Sequence, residues 1–375
     1  MRMPGRSNQR FAPGGRGSVR LRFLDRTLVL ALLAALGVAR RRRELRLPLR
    51  RIGIMKTTGI GDMILGTAVA RDVIAAFPDA EVVLFAGSDN ADLARLVAGA
   101  RVVQLPATKP WVALPRLRAE QLDALIDLGQ WSRLEALYAA LSGARWTAGF
   151  ATKGERRHYA YDATVAHSNV VRELDNYRRL VGLLGIASRS LPRFEPSPLG
   201  TSPPAPDPYV VFHLWPGGFR SELREWPARS WRRLARLLAD KGFSIVLTGG
   251  PGDAERTAAF ARSCGDLSTH LAPVAGHHRL DELIGILTRA RCVVSVNTGV
   301  MHLAAASGAP TIALNGPTSA LRWGPIGPNA VCIDSELPGC GYLNLGFEYK
   351  GHRTDCMCGI SVDRVAAATL EQARD

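Results

Sequence analysis

Residues 51–77 read RIGIMKTTGIGDMILGTAVARDVIAAF, and the order of residue types in this stretch decides the fold. A short β-rich run at 51–56 is followed by small residues at 57–61 and then by a helical pattern through Phe77. That is a strand, a tight turn and a helix. Working outward, further strand patterns fall at 82–86, 102–105, 124–128 and 146–150, with helical stretches between most of them. From 188 to 208 the chain turns rich in Pro and Ser (SRSLPRFEPSPLGTSPPAPDP) and loses periodicity, as a linker does. A second alternation follows, with strands at 209–214, 244–248, 292–296 and 311–314 and helices at 230–241 and 281–289. Short strands alternating with longer helices predict parallel sheets covered on both faces. The expected architecture is α/β: an arm at 1–50, one domain at 51–187, a linker at 188–208 and a second domain at 209–375. Two such domains facing each other leave a cleft lined by the carboxyl ends of both sheets, where open α/β folds bind ligands.

A chain of 375 residues is long enough for two cores, and 47% hydrophobic with 22% charged residues describes a globular protein rather than a disordered one. The net charge of +15 would suggest nucleic acid if it covered a folded face, but residues 1–50 carry thirteen Arg against Asp25 and Glu44. The folded part is nearly balanced, and no nucleic-acid partner is expected. Within the arm, TLVLALLAALGVA at 27–39 is followed at once by four arginines. The run is short of the roughly 20 apolar residues that span a bilayer. A secretory signal would carry its basic cluster before the apolar run and a small-residue cleavage site after it. Two readings stay open: a short helix lying on the anionic inner face of a membrane, or a solvated tail. Six cysteines in a chain of this size are expected to be mostly reduced. Cys340, Cys356 and Cys358, with His352, form a weak zinc pattern that lacks a repeated C-x-x-C, and no metal is assigned.

Several segments carry candidate chemistry. At 57–62, Thr58, Gly59 and Gly61 allow a close backbone approach at a helix N-terminus, and Asp62 is open to two readings, a helix cap or a reactive carboxylate. The spacing is not that of a dinucleotide site, because Gly66 comes five residues after Gly61 rather than three. HLWPGG at 213–218, with Arg220 and Arg224 before Trp226-Pro227, offers cations and backbone donors for a diphosphate. TGGPGD at 248–253 is another glycine turn, with Glu255 placed to reach ribose hydroxyls or else lying on a plain loop. SVNTGVMH at 295–302 sets Asn297, Thr298, Gly299 and His302 at a strand end and the first turn of a helix, where they can converge on phosphate. No Asp-x-Asp occurs, so a leaving diphosphate must be neutralised without that metal-holding pattern. Arg224, Lys56, His302 and helix N-termini are the available groups.

These motifs in combination resemble glycosyltransferase family 9, the ADP-heptose:lipopolysaccharide heptosyltransferases and their relatives, from about Ile52 to Asp334. The resemblance rests on GIGDMILGT at 59–67, FPDA at 77–80, IDL at 126–128, the Trp226-Pro227 pair, GGP at 249–251, VSVNTGVMHLAAA at 294–306, PTIALNGPT at 310–318 and WGP at 323–325. It implies a GT-B fold of two Rossmann-like domains facing a cleft, and an inverting transfer of a sugar, heptose from ADP-heptose, onto a lipopolysaccharide core or related glycan. It also implies Asp62 as general base, a diphosphate site at Thr298, Gly299 and His302, and Glu255 as the ribose-binding acid. No cofactor is implied beyond the nucleotide sugar as co-substrate. The partners implied are that nucleotide sugar and a lipid-linked glycan acceptor; a place in the cytoplasm at the inner membrane surface is expected from the arm alone. The chain has Asn297 where the family commonly has Asp and Arg224 where it commonly has Lys. A GT-B nucleotide-sugar epimerase and a non-catalytic membrane or nucleic-acid adaptor working through the arm are the rival readings.

Overall fold

The computed structural model describes Asp25 and residues 27–39, 41–196, 202–344 and 348–374. The first twenty-four residues of the expected arm, and 197–201 of the expected linker, lie outside them.

Two six-stranded sheets organise the chain, and every strand pairing in them is parallel. The first contains β1 (Arg51–Lys56), β2 (Glu81–Ala86), β3 (Ala100–Gln104), β4 (Ala124–Asp127), β5 (Trp146–Ala151) and β6 (Ala163–Ala166), in the order β3-β2-β1-β4-β5-β6. The second contains β7 (Tyr209–His213), β8 (Ser244–Thr248), β9 (Leu271–Pro273), β10 (Cys292–Val296), β11 (Thr311–Asn315) and β12 (Ala330–Asp334), in the order β12-β11-β10-β7-β8-β9. Both sheets therefore start in the middle, run to one edge, return and run to the other. This reversal opens a crevice beside β1 and β4, and another beside β7 and β10. The central strands are buried nearly throughout, which is why they read as continuous apolar runs rather than alternating ones. Edge strand β6 (ATVA) is partly exposed and too weakly apolar to stand out in the sequence.

Helices fill both faces. In chain order they are α1 (Leu28–Ala39), α2 (Ile60–Ala76), α3 (Pro110–Ala119), α4 (Arg133–Leu141), α5 (Glu173–Val181), α6 (Ala228–Ala239), α7 (Ala254–Arg262), α8 (Leu280–Arg289), α9 (Gly299–Ala306) and α10 (Val362–Gln372), besides two single turns. Helix α2 is buried on nearly all sides because it packs both on its own sheet and against α9 of the other half. Glycine makes that crossing possible. A Cβ on Gly299 would stand 2.6 Å from Cγ2 of Ile60, and one on Gly61 2.9 Å from Cδ2 of His302. The two halves thus touch through the first turns of α2 and α9, directly behind the cleft.

The apolar run at 27–39 is not a free arm. Helix α1 packs against α4 and the turn Arg157–Ala160. Val29 and Leu33 are buried in the cluster that holds Leu105, Leu117 and Tyr138, while Leu28 and Leu32 remain exposed. Arg43, one of the four arginines that follow, bonds Asp162 and the Ala144 carbonyl. The start of the linker is pinned as well: Ser188 and Ser190 donate their hydroxyls to Asp72 of α2, and the Phe194 amide donates to the Ala306 carbonyl. Cys340 and Cys356 form a disulfide, an exception to the expected reduced state that removes both from any zinc set. The other four cysteines are free, and His352 stacks on Tyr342.

Candidate active site

The loops leaving β1, β3, β7, β8, β10 and β11 line one cleft of about 1240 Å³ between the halves. Its floor on the first half is the turn 57–61. Thr58, Gly59 and Gly61 line the cleft, and Gly59 takes a positive φ of 87°, the backbone state glycine adopts without strain. Asp62 follows in the first turn of α2, buried yet lining the cleft. Its carboxylate is gripped by side chains from across the domain: Oδ1 accepts from Tyr177 Oη at 3.2 Å and from Gln130 Nε2 at 3.4 Å. Lys56 Nζ stands 3.6 Å from Oδ2 and donates to Gln130 Oε1 at 3.0 Å. Lys56 is buried under Asp62 and does not line the cleft, so it pairs with the carboxylate rather than meeting a diphosphate. Burying this ion pair is tolerable because each member is also hydrogen-bonded.

Beneath this layer lies a second buried charge cluster. Arg157 donates to Asp127 Oδ2 at 2.5 Å, Tyr161 donates to the same oxygen at 2.6 Å, and Thr57 donates to Glu135. Burial raises the Asp127 pKa against the opposing pull of Arg157. These groups carry the end of β4 and the turn after β1, and so hold the floor on which Asp62 sits.

The opposite wall is the first turn of α9. Thr298 caps it, accepting from the Met301 amide at 3.4 Å, and Thr298, Gly299 and His302 all line the cleft. His302 is buried with no partner on Nδ1, and burial pushes its pKa down to about 4 against the upward pull of the Asp62 charge. At neutral pH the ring is uncharged, so His302 serves as a hydrogen-bonding group and not as a cation. Asn297 donates Nδ2 to Asn315 Oδ1 and to the Trp323 carbonyl, both at 3.0 Å, which ties β10 to the loop after β11. Arg224 lines the cleft mouth, bonded to the Gly217 carbonyl.

Two acids lie on or next to the glycine turn, Asp253 and the expected Glu255. Glu255 is exposed and lies outside the cleft lining; Asp253 lines it. Asp253 accepts from the Gly250 amide at 2.8 Å and from Arg256, whose guanidinium sits 4.3 Å from the centre of the Trp215 ring. His213 shares a 3.0 Å bond with Thr248, and burial lowers its pKa to about 4. Lys109, which caps the start of α3, and Arg116, in its last turn, add positive charge on the first half's side of the cleft. Sequence reading passed over these two, together with Gln130 and Tyr177. Only the local motif marks a residue in a sequence, and these side chains arrive from helices and loops with no motif of their own. Among the described residues no cluster has the makings of a metal site.

A family model described as glycosyltransferase family 9 (heptosyltransferase) matches residues 111–340. Lipopolysaccharide heptosyltransferase 1 of Pseudomonas aeruginosa is 36% identical over 150 residues, 40% of this chain and 40% of its own length. Lipooligosaccharide heptosyltransferase 2 of Haemophilus ducreyi is 31% identical over 153 residues, 40% of this chain and 44% of its own. The chain thus spans about two fifths of the length of these curated relatives. Among solved structures, Escherichia coli ADP-heptose lps heptosyltransferase II superposes with a TM-score of 0.71 at 21% identity, over 86% of this chain and 98% of that one. An E. coli heptosyltransferase solved with ADP gives 0.64 at 22% identity, over 86% and 99%. At these identities the likeness is one of fold: two Rossmann-like domains in the GT-B arrangement, as the two strand orders describe.

Proposed function

The chain belongs to glycosyltransferase family 9, and from that premise we propose that it transfers a sugar, heptose from ADP-heptose, onto a lipid-linked glycan of the lipopolysaccharide core. The observation that carries this reading is the position of Asp62, a buried carboxylate at the cleft floor facing the N-terminus of α9. In the proposed reaction an acceptor hydroxyl gives its proton to Asp62 as its oxygen attacks the anomeric carbon. The bond from that carbon to the diphosphate oxygen breaks on the opposite face, which inverts the centre, and the nucleoside diphosphate leaves with both bonding electrons. Its charge is met by Arg224 and the backbone amides at Thr298 and Gly299, with neutral His302 as a hydrogen-bond donor. Asn297 shapes the loop behind them, and Thr58, Gly59 and Gly61 leave room for the acceptor. Asp253, rather than Glu255, is the acid on the donor side. Lys109 and Arg116 face an acceptor, which suits one carrying negative charge.

The same proposal places the enzyme in the cytoplasm, held at the inner face of the membrane by the amino-terminal arm. No helix among the described residues is long and apolar enough to cross a bilayer. The exposed Leu28 and Leu32 on α1, and the exposed Arg41 and Arg42 beyond its C-terminal end, suit contact with an anionic surface.

Titration of the purified protein with ADP-, GDP- and UDP-sugars, read by calorimetry and thermal shift, tests the donor assignment. Selective stabilisation by ADP-heptose, followed by transfer of its heptose to a lipid A core acceptor with release of ADP, is the expected result. Conversion of the nucleotide sugar alone, with no acceptor, would make the chain an epimerase instead.

A further inference from the structure

Glu173 opens α5 in the first half, and Arg322 lies in the short turn Ala320–Trp323 of the second; both side chains are fully buried, and they pair at 2.6 Å. The pair is saturated on both sides. Arg322 also donates to the Ser168 carbonyl at 2.6 Å and to the Asn344 carbonyl at 3.3 Å, and Glu173 bonds His167 at 3.0 Å and Asn176 at 3.0 Å. Burial works to raise the Glu173 pKa, but His167 and Arg322 outweigh it and hold the carboxyl below its ordinary value. Each partner leads to the cleft within a few residues. One turn beyond Glu173 on the same helix is Tyr177, which donates to Asp62. Next to Arg322 is Trp323, which lines the cleft and accepts from Asn297 through its carbonyl.

We infer that the Arg322–Glu173 pair is a positioning device: it locks the donor-side loop to the helix that aims Asp62, and so sets the carboxylate in register with the bound sugar. The inference rests on the transferase reading given above. A buried pair of this kind gives little net stability over apolar packing, yet removing one member strands a charge. Its value therefore lies in the single geometry it permits. Transfer needs that geometry, since a displacement of about 1 Å costs on the order of 10²-fold in rate.

The test uses the full chain with Arg322→Met and Glu173→Gln combined, which removes both charges together and keeps hydrogen bonds to His167 and Asn176. Arg322→Lys, which keeps the charge and loses the planar fork, is the milder companion. The double variant is expected to melt near wild type, to bind nucleotide sugar with unchanged affinity, and to lose about 10²-fold in kcat. Its loss should overlap with that of Tyr177→Phe rather than add to it, because both act through Asp62. A folded double variant with wild-type kcat, or strictly additive losses, would overturn the inference. Small-angle scattering reads the same device without chemistry. The two halves should sample a wider range of separations in the variant, and identical profiles would count against the pair even if wild type proved to transfer no sugar. A wild type that binds and transfers nothing, with scattering altered in the variant, would instead sink the functional reading and leave the domain lock standing.

Discussion

Tyr177 Oη lies 3.2 Å from Oδ1 of Asp62, a contact between residues 115 positions apart that joins α5 to the first turn of α2. A hydrogen bond to a charged group contributes about 1.5–3 kcal/mol, which as lost transition-state positioning corresponds to roughly 10- to 100-fold in rate. Tyr177→Phe should lower kcat within that range and leave donor affinity unchanged. Asp62→Asn should abolish transfer while nucleotide-sugar binding persists. Steady-state kinetics beside calorimetry separates the two effects, and loss of donor binding in Asp62→Asn would make Asp62 a structural residue.

The donor-side acid can be tested by a pair of substitutions. Glu255→Ala should leave donor affinity as it is, since that side chain is exposed and outside the cleft. Asp253→Ala should weaken donor binding, because it releases both the Gly250 amide and Arg256 from the loop. The opposite ranking in a calorimetric titration would restore Glu255 to the site.

Acid stability follows from two buried histidines, His213 and His302, each with a pKa lowered to about 4 by burial. Between the ordinary histidine value near 6.5 and about 4, the unfolded chain binds a proton that the folded chain excludes, so stability falls as pH drops through that window. Integrated over the whole window, the loss is about 3 kcal/mol for each histidine. Denaturant melts at pH 7 and pH 4.5 should show the loss, and His302→Asn should flatten part of it. An unchanged slope would mean that His302 is solvated when the protein is folded.

Contact between α2 and α9 depends on the absence of a side chain. Gly299→Ala puts a Cβ into Ile60, an overpacking that costs about 1–3 kcal/mol. Ile60→Ala in the same chain should recover much of that loss. If the melting temperatures of the single and double variants show no such recovery, the two halves do not meet here in solution.

Membrane attachment predicts that wild type sediments with vesicles containing phosphatidylglycerol and less with phosphatidylcholine alone. Leu28→Glu with Leu32→Glu, both at exposed positions, should release it without changing the melting temperature. Equal sedimentation of the variant would remove α1 from the contact.

The α/β alternation, the central strands and the glycine turns were legible in the sequence because each is a local pattern: buried parallel strands are apolar throughout, and a strand-to-helix turn needs small residues. The motif residues Asp62, Thr298, Gly299 and His302 could be read for the same reason, and the structure brings them to one cleft. What the local pattern does not contain is the partner. The bonds from Gln130 and Tyr177 to Asp62 and the pairing of Arg322 with Glu173 depend on where separate elements come to rest. So do the docking of α1 on the first domain and the placement of Asp253 rather than Glu255 at the cleft. Segment chemistry determined the elements and their order. Only packing, which fixes side chains far apart in sequence to within a few ångströms, decided which charges meet and which remain free to act.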